Sequence, residues 1–359
     1  MYKLEQFPHF NYYKNLTNDF PRNVTDNITL DIIIPTYKNK KGLRRTLNSI
    51  PSNPNVNVIV IDDCSNLDYD DILKEYPSLI FYQLEKNSGP GMARQYGLNH
   101  SNGTYITFLD TGDYFYENGL ETIMQAINEN TYIKLYTFSY VYDDKNILND
   151  RPDDKTIGSV YKRSFIEMYD IHFSEEGSYA NEDYGFSRAC KIILDDWQRY
   201  FFSDAQKHIK IPVFYEHIDK NSLTKANNDE FFYTQLSPGI IMNGIHAIKI
   251  AEKAKVKIEY LLEEYNYIMA QEYFFFLCNL YERPELVDNT WQIIRDFYFN
   301  HYRIYSKFAI RDLPQKYTQV TLPRIHSRMK KWDRMVRPNI IRFIKELETE
   351  SFTPSYYFQ

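Results

Sequence analysis

The stretch that decides the fold is Thr104-Tyr105-Ile106-Thr107-Phe108-Leu109-Asp110-Thr111-Gly112-Asp113. Its first six residues are rich in β-forming and aromatic side chains, which predicts a buried strand. The strand ends at two acids, Asp110 and Asp113. In an open α/β sheet, the carboxyl ends of parallel strands face the crevice where ligands bind. Two acids so close together indicate a site for a hard divalent cation with a phosphate; the alternative is a capped turn that leads into a helix.

Strands alternate with helices on the N-terminal side of this stretch. The predicted strands are 30–34, 56–61 and 79–84, and the predicted helices are 41–50, 70–76 and 89–100. This alternation is typical of right-handed βαβ units around a parallel sheet. Because the strands are almost continuously apolar, the sheet should be covered on both faces. The predicted fold class is therefore α/β.

Length and composition set the outer limits. A chain of 359 residues favours two domains, and 43% hydrophobic with 17% aromatic residues is far above what disordered chains carry. The net charge of -6 argues against a protein that coats nucleic acid. Cys64, Cys190 and Cys278 show no metal-ligand spacing, which favours free thiols in a reducing compartment. With no apolar run of membrane-spanning length, we expect a cytoplasmic protein.

Polar residues follow the predicted strands at their carboxyl ends. Pro35, Thr36 and Tyr37 follow the first strand, and Asp62 and Asp63 follow the second. A parallel sheet places these residues on the same edge as Asp110 and Asp113 at the end of the 104–109 strand. Asp62 or Asp63 could accept hydrogen bonds from a base or a ribose; the alternative is a turn rich in Asx residues.

A glycine-rich helix start, 87–94, lies between these strands. Exposed N–H groups and the helix dipole favour an anion near Gly89, and Arg94 can reach a phosphate or stack on a base. The sequence is neither a Walker loop nor a GxGxxG fingerprint, so a P-loop kinase and a typical dehydrogenase both lose support. An ordinary loop is the alternative.

Four motifs carry a resemblance to a known family. They are Ile34-Pro35-Thr36-Tyr37, Val60-Ile61-Asp62-Asp63-Cys64-Ser65, Asn87-Ser88-Gly89 through Ala93-Arg94 to Gly97, and Phe108-Leu109-Asp110-Thr111-Gly112-Asp113. In this order and spacing, they make the region 30–113 resemble the nucleotide-binding half of a family 2 inverting glycosyltransferase of the GT-A fold. The resemblance extends to Lys225 through two further segments. These are Asn181-Glu182-Asp183 and Phe214-Tyr215-Glu216-His217, the latter leading to Asn221-Ser222-Leu223-Thr224.

The resemblance implies a metal-dependent hexosyltransferase. It would use Mn²⁺ or Mg²⁺ and a nucleotide-sugar donor, a UDP-sugar, with Asp110, Asp113 and His217 as metal ligands. Asp183 would be the catalytic base, and Glu182 would orient it or contact the sugar; the alternatives are that the two acids cap a helix and that His217 is structural. The acceptor would be a hydroxyl of a cell-surface polysaccharide, a teichoic-acid-like polyol-phosphate polymer or a lipid-linked glycan.

One departure from the family pattern is Gly112. The family often has an acid at this position of the metal strand, and its absence leaves open how Asp110 and Asp113 share a cation. Gly112 also favours a rival function, a catalytically inactive scaffold that binds a nucleotide sugar or a carbohydrate. A nucleotidyltransferase is another rival, but the segment after the first strand lacks the basic glycine-rich loop that it would need.

The last third of the chain has a different character. Apolar residues recur at helical spacing in 245–262, 265–281, 291–308 and 340–347, so we expect three parts: an arm (1–27), a GT-A domain (28–225) and a helical domain (226–359). Eight Lys and Arg residues against one acid occupy 324–345. This basic run is either a solvated helix face or a peripheral contact with an anionic membrane or acceptor.

Overall fold

The computed structural model describes residues 27–143, 146–150, 155–177, 180–201, 204–217, 232–332 and 339–349. For 199–201 and 329–331 it describes the backbone only. The predicted arm, apart from Asn27, lies outside these residues. The described chain divides into two compact units that exchange segments: a sheet unit (27–172, 193–217 and 249–257) and a helical unit (173–192, 232–248 and 258–349), each with the gaps given above.

One sheet organises the sheet unit. Its strands within the described residues are β1 (Leu30–Thr36), β2 (Val56–Asp62), β3 (Ile80–Gln83), β4 (Tyr105–Phe108), β5 (Tyr114–Phe115), β6 (Leu135–Tyr142), β7 (Ile147–Asn149), β8 (Ser159–Lys162) and β9 (Gln206–Glu216). Their order is β3-β2-β1-β4-β8-β6-β9-β5, and β7 pairs with β6. The parallel sheet predicted for β1 to β4 is confirmed. Beyond β4 the sheet becomes mixed, because β8 pairs antiparallel with both β4 and β6.

Helices follow most of these strands. They are α1 (Lys40–Asn48), α2 (Asp70–Glu75), α3 (Gly89–Asn99), α4 (Gly119–Glu129), α5 (Arg163–Met168), α6 (Glu182–Phe201) and α7 (Leu236–Lys253). The predicted helical C-terminal region is confirmed. It consists of α8 (Ile258–Glu282), α9 (Val287–Phe297), α10 (Arg303–Ala309), α11 (Leu313–Val320), α12 (Leu322–Trp332) and α13 (Ile340–Thr349), with a 3-10 turn at Pro284–Leu286 and a π-helical turn at Tyr298–Tyr302.

Strand β1 is an interior strand of the sheet, between β2 and β4, and all seven of its residues are buried. Its register aligns Thr36 with Asp62 on β2 and Ile33 with Phe108 on β4. Helix α3 covers one face so closely that a Cβ on Gly97 would lie 2.5 Å from the Ile33 side chain. The carboxyl ends of these strands therefore lie side by side, as predicted, on one edge of the sheet.

The helical unit is built around α8, which is buried along most of its length. A charged network lies inside it. The buried carboxylate of Glu264 accepts hydrogen bonds from the Tyr184 hydroxyl and from the Arg188 Nε at 2.8 Å. Pairing of this kind is what allows a carboxylate to be buried as an ion. Throughout the described residues, every helix is too short or too polar to be a membrane span.

Two cations of the predicted basic run point into this unit. Arg324 donates to the Gln271 side chain and lies 3.9 Å from the Phe274 ring centroid. Arg328 pairs with Glu282 and lies over the ring of Phe232. These two arginines do not belong to a solvated basic face. The Lys330 and Lys331 side chains and residues 333–338 lie outside the part of the chain that the structure describes.

A buried carboxylate near the N-terminal end of β1 connects this strand to β2 and to the turn before β4. Asp31 accepts hydrogen bonds from the backbone N–H groups of Asn102 at 2.8 Å and Gly103 at 2.6 Å, and from the Asn57 side chain at 2.8 Å. It thereby fixes the turn that enters β4. Because these donors are partly or fully buried, removing the carboxylate would leave them unsatisfied.

We expect Asp31→Ala to lower the free energy of unfolding by about 2–4 kcal/mol, since buried donors then lack acceptors. Urea unfolding followed by circular dichroism measures this. The control is Asp71→Ala, which breaks exposed ion pairs with Lys40 and Arg44 and should cost much less. Equal losses in the two variants would contradict the role given to Asp31.

Candidate nucleotide-sugar site

Hydrogen bonds join the ends of β1, β2 and β4 into one edge. The Asp63 N–H donates to the Thr36 carbonyl at 2.8 Å, and the Thr111 hydroxyl donates to the Pro35 carbonyl at 2.7 Å. The segments that contain the predicted residues Pro35, Thr36, Asp62, Asp63 and Asp110 are therefore neighbours in space. Tyr37, just after β1, is exposed.

Asp62 is engaged by the chain's own donors. Its buried carboxylate accepts from the Ser65 N–H at 3.0 Å, the Tyr69 hydroxyl at 3.0 Å and the Gln83 side chain at 2.9 Å. Burial, with the nearby charge of Asp62, raises the pKa of Tyr69 to about 12, so that hydroxyl stays a donor. These contacts fix the loop after β2.

Asp63 caps helix α3. Its two carboxylate oxygens accept from the N–H groups of Ser88 at 2.7 Å and Gly89 at 2.9 Å. These are amides that the sequence predicted for a phosphate. Burial raises the pKa of Asp63, and the two amide hydrogen bonds oppose that rise. The structure thus brings Asp63 and Gly89 together, but as partners of each other.

Arg94 holds Asp110 at the end of β4. The Arg94 Nη2 lies 2.5 Å from the Asp110 Oδ1, with the arginine side chain 4% exposed and the aspartate side chain 54% exposed. Because Arg94 projects from the buried side of α3, its guanidinium reaches the Asp110 carboxylate from the interior of the protein. The cation predicted to contact a phosphate is here the counter-ion of a predicted metal ligand.

Asp113 is buried beside Asp110. Its Oδ1 accepts from the His217 N–H at 2.7 Å. The Thr46 hydroxyl donates to the Asp113 carbonyl at 2.7 Å and accepts from the Gly112 N–H at 2.9 Å, which fixes the turn between the two acids. Burial, and then the negative charge of Asp110, raise the pKa of Asp113 well above its usual range.

Gly112 stands where the family often has an acid. Its φ of +111° is in the region that L-residues rarely adopt, and a Cβ built on it would meet only the His217 ring, at 3.9 Å. The space for a side chain is therefore open and directed at His217. Backbone strain, rather than crowding, is the obstacle to an acid here.

Asp143 is a site residue that the sequence analysis missed. Its Oδ2 lies 2.6 Å from the Nδ1 of His217, and the Tyr114 hydroxyl also contacts it. The hydrogen bond with His217 holds the pKa of Asp143 below its usual value. Asp143 reaches this position because β6 and β9 run parallel and end together, which no local pattern in the sequence reveals.

The described residues contain no group of three or more His, Cys, Asp or Glu side chains that could hold a metal. The chemistry of Asp110 and Asp113 nevertheless fits a hard cation, because both supply oxygen ligands and the negative charge of Asp110 raises the cost of ionising Asp113, which a cation would offset. His217 also fits, since a carboxylate on one ring nitrogen is the usual support for a metal-binding imidazole. A cation here would need further ligands from the donor or from water.

Glu182 and Asp183 begin helix α6 in the helical unit. Asn181 precedes them with a φ of +58°. Glu182 is buried and Asp183 is half-buried, with the Asp183 Oδ1 2.8 Å from the Tyr184 N–H. The helix-start position expected from the sequence is thus observed. The segment 221–224, predicted to follow His217 as a loop, lies outside the described residues.

Comparison with known proteins shows a family similarity in the N-terminal half of the chain. Residues 31–193 match the family model described as "Glycosyl transferase family 2". The match includes the carboxyl ends of β1, β2 and β4 and the start of α6. In this segment the chain is similar to glycosyl transferase family 2.

Particular relatives and a solved structure resemble the chain in part. An uncharacterized glycosyltransferase of Rickettsia bellii is 32% identical over 126 residues, 34% of this chain and 18% of the relative. The Staphylococcus aureus poly(ribitol-phosphate) beta-N-acetylglucosaminyltransferase TarP is 35% identical over 109 residues, 28% of this chain and 33% of TarP. The chain spans about a fifth of the length of the first curated relatives it matches.

The crystal structure of S. aureus TarS 1–349 in complex with UDP-GlcNAc is similar in fold. It superposes with a TM-score of 0.50 at 17% identity, covering 75% of this chain and 91% of that one. The similarity confirms the predicted α/β fold of the GT-A type with a helical C-terminal region.

The raised pKa of Asp113 predicts a pH-dependent stability in the absence of a divalent cation. The folded state holds this proton more tightly than the unfolded state, so its stabilising contribution is complete below the unfolded pKa, about 3.9, and is lost as pH rises through the folded pKa. Asp113→Asn should remove this loss and be more stable than the wild type at neutral pH.

Urea unfolding in EDTA at several pH values between about 5 and 8 measures the effect. The control is Asp68→Asn, an exposed acid in the loop after β2. Parallel stability curves for wild type and Asp113→Asn would show that the Asp113 pKa is not raised.

Proposed function

We propose that this protein is an inverting glycosyltransferase that moves a sugar from a UDP-sugar to a hydroxyl of a glycan or polyol-phosphate acceptor. The observation that supports this best is the meeting of Asp63, Asp110 and Asp113 at one sheet edge inside the family 2 segment. The names of the relatives agree with it: TarS was crystallised with UDP-GlcNAc, and TarP acts on poly(ribitol phosphate).

The donor would bind along the carboxyl ends of β1 and β2. The exposed Tyr37 ring offers a face on which a base can stack. Asp62 and Asp63 lie next to it, and their bonds to Ser65 and Gly89 hold the loop and the helix start in place. Asp62 is fully buried and its two oxygens already accept four hydrogen bonds, so a base or ribose N–H or O–H could share only the remaining acceptor capacity of Asp63.

Asp110, Asp113 and His217 are the proposed ligands of Mn²⁺ or Mg²⁺. The cation would neutralise charge that develops on the departing diphosphate. Asp113 must lose its proton to bind it, and Arg94 already balances Asp110. The chain would therefore contribute two different carboxylates: Asp110, paired with Arg94, and Asp113, which becomes charged less readily until the cation and the donor bind.

Transfer needs a base as well as a leaving group. The acceptor oxygen attacks the anomeric carbon, the bond to the diphosphate oxygen breaks, and the acceptor proton passes to a carboxylate. We propose Asp183 for this role on its motif, with Glu182 beside it. A carboxylate suffices because the hydroxyl becomes acidic only as the new bond forms.

A panel of UDP-sugars with Mn²⁺ and no acceptor tests the proposal. Slow hydrolysis of one donor supports an enzyme, while binding without any hydrolysis or transfer supports the rival scaffold, which Gly112 favours. Inactivity together with no UDP binding would contradict both.

We expect Asp113→Ala to abolish Mn²⁺-dependent UDP binding and Asp110→Ala to weaken it. Wild-type Mn²⁺ affinity should rise with pH, because the cation displaces the Asp113 proton. Calorimetric titration of UDP with Mn²⁺ or EDTA, at two pH values, measures both effects. Asp68→Asn is the control. Donor binding that EDTA leaves unchanged would contradict the metal assignment.

Asp183→Asn should lower kcat by about 10²–10⁴-fold and leave UDP affinity near normal, because only the base is lost. The control is Asp195→Asn, an exposed acid on the same helix. If the Asp183 variant turns over close to the wild-type rate at saturating substrate, Asp183 is not the base and acts only as a helix cap.

A further inference from the structure

Helix α10 carries an exposed stripe in which apolar and basic side chains alternate. The α10 stripe consists of Arg303, Ile304, Lys307 and Phe308 of the helix, together with Arg311 in the turn that follows it; successive members are one or three residues apart. Ile304 is 70% exposed and Phe308 is 68% exposed. No other large hydrophobic residue of the described chain reaches these exposures.

Packing on the opposite side of the helix holds the stripe outward. Tyr302 and Ala309 are buried against α8. The Asn266 side chain of α8 accepts from the Tyr302 hydroxyl at 2.8 Å and donates to the Ala309 carbonyl at 2.8 Å. A single buried amide thus fixes both ends of α10, so the exposure of Ile304 and Phe308 is a property of the packed fold and not of a frayed end.

The charges of the stripe are mostly uncompensated. No described acid forms an ion pair with Arg303 or Lys307, although Arg303 also lies over the Phe299 ring. Arg311 pairs at 3.1 Å with its neighbour Asp312, and both side chains are exposed, which makes the pair weak. By contrast, Arg324 and Arg328 of the predicted basic run are turned inward.

We propose that the α10 stripe binds the surface of an anionic lipid bilayer. Ile304 and Phe308 would enter the boundary between headgroups and acyl chains, and Arg303, Lys307 and Arg311 would lie among the anionic headgroups. Exposed apolar residues interleaved with cations are the pattern of helices that lie in a membrane interface. This inference does not rest on the proposed transferase activity.

Two other occupants fit the stripe less well. A second copy joined through the same stripe would bring like charges together, because a two-fold contact is self-complementary. A soluble polyanion would use the cations and leave Ile304 and Phe308 in water. A bilayer satisfies both kinds of side chain at once.

Co-sedimentation with lipid vesicles tests the proposal on the full chain. We expect the wild type to pellet with vesicles of phosphatidylcholine mixed with phosphatidylglycerol, less so at high salt, and hardly at all with phosphatidylcholine alone. We expect two double variants, Ile304→Ser/Phe308→Ser and Arg303→Glu/Lys307→Glu, to bind the anionic vesicles less well. Each should lower the ratio of vesicle-bound to free protein about tenfold or more.

The matched controls lie in the sheet unit. Ile147→Ser/Leu148→Ser removes another exposed apolar pair, 52% and 50% exposed, and Lys210→Glu reverses an exposed cation. Both should pellet like the wild type. Circular dichroism checks that each variant is folded. If a double variant does not fold, the single variant Lys307→Glu, at an exposed position, takes its place.

Three results would overturn the proposal. The first is equal pelleting of the wild type and both stripe variants. The second is salt-sensitive binding to soluble polyphosphate that Ile304→Ser/Phe308→Ser leaves unchanged, combined with no vesicle binding, which would make the stripe a polyanion site. The third is a wild-type dimer, seen by light scattering, that the apolar variant dissociates while vesicle binding is absent.

Discussion

Repulsion between the carboxylates of Asp110 and Asp113 is the constraint on which the site edge depends. Two acids at the end of a buried strand destabilise each other unless something balances them. Arg94 from α3 balances the first, and the His217 N–H after β9 binds the second. Thr46 from α1 fixes the turn between them. Elements far apart in sequence thus supply the separate partners that allow these two acids to lie side by side.

Local patterns in the sequence predicted the part of this arrangement that local physics controls. The alternation of apolar strands and helices specified β1 to β4, and parallel pairing then required their carboxyl ends to share an edge. These local patterns could not show whether a polar group at this edge binds a ligand or another group of the same chain. Asp63 on Gly89, and Arg94 on Asp110, each satisfy within the chain a group that was predicted to await a phosphate or a base.

Long-range packing accounts for what the sequence did not reveal. Asp143 meets His217 only because β6 and β9 pair in parallel across a gap of many residues, with β8 inserted antiparallel between β4 and β6. Likewise, the sequence of the basic run 324–345 suggested a solvated helix face or a peripheral contact, but it did not show which residues face inward. Arg328 turns inward because Glu282 provides a partner there. The catalytic roles of Glu182 and Asp183 and the metal-binding role of His217 stay predictions.

The carboxylate of Asp63 at the start of α3 also has a consequence for selectivity. The Ser88 and Gly89 amides, which would attract any anion, already bind an anion that is covalently part of the chain. An incoming phosphate must displace the Asp63 carboxylate, which is tethered to the chain and therefore has a high effective concentration at these amides. Its net gain in binding free energy is only the difference between its own bonds to the amides and those of the carboxylate. Small anions such as inorganic phosphate are therefore poor rivals at this helix start, and only a ligand with additional contacts elsewhere on the edge can bind well.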